Sequence, residues 1–150
     1  MSTATITATR TALSPMLALR AGILARLGSD AALAALMGGV VRLYDELPRG
    51  AAPVYALFGD GEVHDDSVEG ARRHRHTLAL HVIAKPGSTR TALDAAERIA
   101  VLLDDAALGL DGHALVFLRL GTLAAARDER TGEARATLTF AAVTELLPTA

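Results

Sequence analysis

Arg72, Arg73, His74, Arg75, His76 and His81 crowd into the stretch ARRHRHTLALHVIA, and His64, Asp65 and Asp66 lie a few residues upstream. Alternate residues of a strand share a face, so His74 and His76 should project together, the spacing at which two imidazoles hold one metal ion. Joined by His64 and Asp65, they would make the ligand set of a small metal-dependent hydrolase. Such a site needs three or four converging ligands and partners that orient them. Here half of the set falls in GDGEVHDDSVEGAR, an acidic, glycine-containing stretch that reads as a long loop or a hairpin tip. The plainer reading is therefore the wet entrance of a buried strand, with no metal and no cofactor. His81, inside the apolar run, reads as a hydrogen-bonded core or interface histidine.

Other reactive groups are as poorly placed. The five serines lack a nucleophile-elbow context, and only Ser67 lies near histidines. Gly59-Asp60-Gly61 is followed by no Gly-Lys-Ser/Thr, so it is a turn and not a phosphate cradle. Arg72, Arg73 and Arg75 can contact phosphate, but the segment has no aromatic residue on which bases would stack, and aromatics are 3% of the chain. A nucleic-acid adaptor is thus the weakest reading. Charge complementarity between protein surfaces fits better: the Arg cluster on one side, and Asp60, Glu62, Asp65, Asp66 and Glu69 on the other.

At 150 residues the chain is long enough for one domain with its own core. The hydrophobic fraction of 51% is high, yet no run approaches the about 18 unbroken apolar residues of a membrane span. So large a share of small and aliphatic residues points to a buried subunit interface. The net charge of −2 supplies no global attraction to nucleic acid, and cysteine is absent. Basic charge is carried by Arg, with Lys85 the single lysine.

The elements that must position these residues follow from local signals. Residues 1–13 read as a flexible arm without a secretory signal, and 14–150 as the domain. Ser14-Pro15 starts a helix that runs to about Leu27, with Leu17, Arg20, Ile23, Leu24 and Leu27 at helical spacing. Asp30 caps a short second helix ended by Gly38 and Gly39. Two short strands around Pro48, Gly50 and Pro53 should follow. A strand at Arg75–Ala84 carries apolar residues on both faces, implying cover on both sides or by a neighbouring subunit. Ser88 or Thr89 caps another long helix, striped by Leu93, Ala96, Ala100 and Leu103. Two long β runs then flank the charged turn of Arg127, Asp128, Glu129, Arg130 and Glu133, with Gly132 free to take a positive φ. The order predicts an α+β fold, a mainly antiparallel sheet packed against two helices.

The stretch RLYDELPRGAAPVYALFGDGEV resembles the tail-completion, or tail-terminator, proteins of long-tailed phages and gene transfer agents. The matching residues are Leu43, Tyr44, Asp45, Pro48, Gly50, Ala51, Pro53 and Tyr55, and the likeness continues through HTLALHVIA, DAAERIAVLLDDAAL and TGEARATLTFAAVTE. Two departures stand out: Val54 separates Pro53 from Tyr55, and aliphatic Val82 and Ile83 end the central strand in place of an aromatic. The resemblance implies a virion protein that turns over no substrate. Six copies would form a ring at the head-proximal end of the tail tube, stop its polymerisation and join it to the head connector. The partners implied are other copies of the chain, the tube protein and the connector, with DNA only as passing cargo and no membrane. In that setting the acidic stretch Asp60–Glu69, the Arg72–Arg75 cluster and the Arg127–Glu133 turn are the candidate contact residues.

Overall fold

The computed structural model describes residues 14–84 and 88–148; the N-terminal arm of the sequence reading lies outside them. Helix α1 spans Pro15–Gly28: the Ser14 side chain accepts the Leu17 N–H at 3.2 Å and Pro15 opens the first turn. Helix α2 spans Ala31–Leu36, capped by Asp30, which accepts the Leu33 N–H at 2.8 Å. Gly38 and Gly39 end it at φ 96° and 118°, a region that residues with a Cβ avoid. Strand β1 is only Leu43–Tyr44, β2 is Tyr55–Asp65, and β3 is Arg73–Ala84. Helix α3, Thr89–Leu103, starts at the Ser88 cap. Strands β4, His113–Asp128, and β5, Glu133–Leu146, close the chain around Gly132 at φ 74°.

One five-stranded sheet results, ordered β1-β2-β3-β5-β4, antiparallel throughout except for β1 against β2. The two short strands expected before Asp60 therefore form a parallel contact, Leu43 opposite Ala56, and not a hairpin. The residues of the family-like stretch act together here. The Tyr44 and Tyr55 rings lie 6.1 Å apart, Asp45 binds Arg20 of α1 at 3.0 Å, and Arg42 donates to the carbonyls of Ala52 and Pro53 at 3.3 and 3.0 Å.

All three helices lie on one face of the sheet. Its core joins Leu19, Ile23 and Leu27 of α1, Leu33 of α2, and Ala92, Ala96, Ile99 and Leu103 of α3 to Leu80, Val82, Leu118, Leu138 and Phe140 of the strands. Burying each large aliphatic side chain contributes about 1.5–3 kcal/mol. Arg98 of α3 makes a bidentate pair with Asp30 at 2.9 and 2.7 Å, tying α3 to the start of α2.

Two expectations need correction. Leu17 and Leu24 do not join the buried stripe of α1 but are about half exposed, because Ala18, Leu19, Gly22, Ile23 and Leu27 turn inward instead. The second face of β3 is covered within the chain only at Ile83: Thr77 is exposed, and Ala79 and His81 only half buried, while Leu78, Leu80 and Val82 pack under the helices. The alternative of cover from a neighbouring subunit is the one the monomer leaves open.

Candidate functional site

The strand registers decide where each candidate residue points. Asp65 opposes His74, His64 opposes Arg75, and Val63 opposes His76. His74 and His76 share the helix-covered face as expected, whereas His64 projects from the other. His76 is buried, with its Nε2 2.9 Å from Thr144 Oγ1. Burial, reinforced by His74 and His113 nearby, pushes its pKa down to about 4, so the ring is neutral at pH 7. Among the described residues no three His, Asp or Glu side chains converge on a point that would hold a metal ion. The hydrolase ligand set of His64, Asp65, His74 and His76 is overturned for a simple reason: the pleat sends His64 and His76 to opposite sides, and Thr144 occupies His76. His81, on the open face, lies with Nδ1 2.9 Å from Thr137 Oγ1, and burial lowers its pKa.

Of the two readings of the acidic stretch, the hairpin tip is the one the structure forms, and not a long loop. Asp60, Glu62 and Asp65 belong to β2, which extends through Asp65, and only residues 66–72 form the turn. This turn is locally built: Asp65 Oδ1 accepts the Ser67 hydroxyl at 2.6 Å and the Ser67 N–H at 3.2 Å, bonds that lower the Asp65 pKa. Asp66 lies 4.0 Å from Arg75, and Glu145 lies 3.7 Å from Arg73, so part of the arginine charge is met within the chain. Glu69 and Arg72 are exposed on the turn. Asp65, Ser67, Arg72 and His74 line a shallow open depression.

The second group sits on the β4–β5 turn. Arg127 and Asp128 end β4, Glu129 and Arg130 lie in the turn, and Glu133 begins β5. Asp128 shapes the turn by accepting the Arg130 N–H at 3.0 Å on its side chain and the Gly132 N–H at 2.7 Å on its carbonyl. Glu133 binds Arg135 at 3.0 Å.

Because Arg73 opposes Glu145 while Ala84 opposes Ala134, the two charged turns lie at opposite ends of the sheet. A strand of 12 residues, β3, separates them by about 36 Å at about 3.3 Å per residue. Sequence reasoning named both groups but not this polarity, which rests on strand register.

The described residues thus form a five-stranded sheet with helices on one face and charged turns at its two poles. The family model described as tail completion protein gp17 matches residues 21–145. A solved chain from a structure titled "Virion of native gene transfer agent (GTA) particle" is 32% identical with a TM-score of 0.78, over 87% of this chain and 96% of that one. A comparison with curated proteins gives no match. The chain belongs to the tail completion protein family, whose members are structural components of the virion tail.

Proposed function

We propose that this chain is the tail terminator of a phage-like particle: its copies close into a ring, six in number, that caps the head-proximal end of the tail tube. The ring ends tube polymerisation and offers the next surface to the head connector; it breaks no covalent bond. The observation that carries this reading is the placement of two unlike charged turns at opposite poles of the sheet. A ring whose strands run along its axis presents one turn upward and the other downward, so it can bind a different partner on each side. Stacking such a ring on a tube multiplies modest contacts, because after the first subunit docks the others bind at high effective concentration. The likeness to a gene transfer agent protein supports a particle of that kind, with DNA as cargo.

The test is electron microscopy of particles from cells lacking the chain. Overgrown tubes unattached to heads are expected. Tails of normal length joined to filled heads would overturn the proposal.

A further inference from the structure

Both outer edges of the sheet are open in part. On one side, β1 pairs only with Ala56 and Leu57, which leaves the β2 edge from Phe58 to Asp65 without a strand partner among the described residues. On the other, β4 is the last strand. Its first half is covered: the Asp105 N–H donates to the Leu118 carbonyl at 2.8 Å, the Leu120 N–H donates to Asp104 Oδ1 at 2.9 Å, and Gly109 bridges to Ala114. From Thr122 to Asp128 the strand is regular, and all but Leu123 are exposed. This stretch lacks the usual protection of an edge strand, having no proline, no lysine and no charge before Arg127.

We propose that the Thr122–Asp128 edge of β4 on one copy joins the open β2 edge of the next, continuing the sheet from subunit to subunit. This rests on the ring reading above and names its lateral contact. Strand direction favours it. Along the order β2-β3-β5-β4 each neighbour is antiparallel, so β4 runs opposite to β2. A rotation that carries one copy to the next in a ring keeps strand direction, and β4 therefore meets the next β2 antiparallel.

Charge selects the same pair. The β2 edge carries Asp60, Glu62 and Asp65, whereas the uncharged run of β4 is flanked by Arg119 and Arg127. Two β2 edges would set acid against acid, whereas the β4 edge offers an uncharged run. Like charges directly opposite each other destabilise a pair. Head-to-tail pairing sets the acidic β2 edge against the uncharged β4 edge and is the arrangement that closes rings.

The register follows from the faces. Within one chain, Arg119, Ala141, Thr77 and Glu62 form one row across the sheet. Matching the open halves instead puts Ala124 opposite Glu62, Thr122 opposite His64, and Ala126 opposite Asp60. All the paired side chains then keep to their own face. From Arg119 to Ala124 is five residues of β4, one of which the bulge between Leu120 and Thr122 takes up, so the shift is four ladder positions, about 13 Å along the strand. A closed sheet needs such a stagger, because its strands tilt against the axis.

The absence of cysteine makes the test direct. Glu62→Cys with Ala124→Cys, and His64→Cys with Thr122→Cys, replace exposed side chains and should leave the fold intact. Particles carrying each pair, and the purified protein at high concentration, are oxidised and run on non-reducing gels. A ladder of covalent oligomers ending in one discrete largest band is expected from each pair, and none from the four single variants. Tail length in the same particles reports separately on terminator function. Tails of normal length without any ladder overturn the edge pairing while leaving that function standing. Covalent dimers from Ala124→Cys alone would show a twofold β4–β4 contact, and protein with no ladder in either setting would equally refute the proposal.

Discussion

His76 offers a quantitative check on how the closed end of the sheet is built. Its ring is buried against Thr144, and its pKa falls from 6.5 to about 4, chiefly through burial. In the unfolded chain the same imidazole takes a proton near its ordinary pKa. Between these values the unfolded state binds more protons than the folded one, so stability must fall as pH drops through 6.5 toward 4. At about 1.4 kcal/mol per tenfold change in proton affinity, the full loss is about 3 kcal/mol, of which about 2 kcal/mol is gone by pH 5. With a urea slope of about 2 kcal/mol per molar, the unfolding midpoint should drop by about 1 M between pH 7.5 and pH 5. The His76→Gln variant is less stable at neutral pH but lacks this titration, so its midpoint should fall by about 1 M less across the same range. His81 contributes equally to both proteins and cancels in the comparison. Parallel pH profiles for the two proteins would refute the burial argument, and so would a wild-type midpoint that does not move.

Two further perturbations probe the scaffold. The Asp30 carboxyl is held at about 2, first by the Arg98 guanidinium and then by the Leu33 N–H. Its stabilisation should therefore be complete above pH 3.8 and disappear only as pH falls toward 2. Arg98→Ala should lower the thermal midpoint at pH 7, and Asp30→Ala should lower it further by removing the α2 cap as well; equal midpoints for wild type and both variants in calorimetry would contradict this. At Gly59 an added Cβ would sit 2.5 Å from the His81 ring. Gly59→Ala should cost about 1–3 kcal/mol in a urea titration and displace the ring from Thr137, seen as a changed His81 imidazole NMR signal; an unaffected signal would count against the observed packing.

Much of the architecture was legible from local chemistry. Ser14, Asp30 and Ser88 each announce a helix start because a side-chain oxygen meets an otherwise unpaired backbone N–H within three residues. The β4–β5 hairpin follows from two β-like runs around Gly132. The α+β class and the tail-completion family were also readable, since the family-like residues recur in a fixed order along the chain. The three charged groups were visible as clusters, and of the two readings of the acidic one, a long loop or a hairpin tip, the structure forms the hairpin. Gly59, Gly61 and a run of acids suggest a turn, yet the pairing of β2 with β3 continues to Asp65.

What the sequence by itself determined, then, is which segments become helix or strand and where charge gathers, because caps, periodicity and turn residues act over a few positions. Only the tertiary structure decided that His64 faces away from His76, that Leu17 and Leu24 remain outside, and that the two charged turns point in opposite directions. It also decided which strand edges stay open. Each of these depends on the register between strands far apart in the chain. A shift of one residue would exchange every side chain between the two faces, and that register is set by how the whole core packs under the helices.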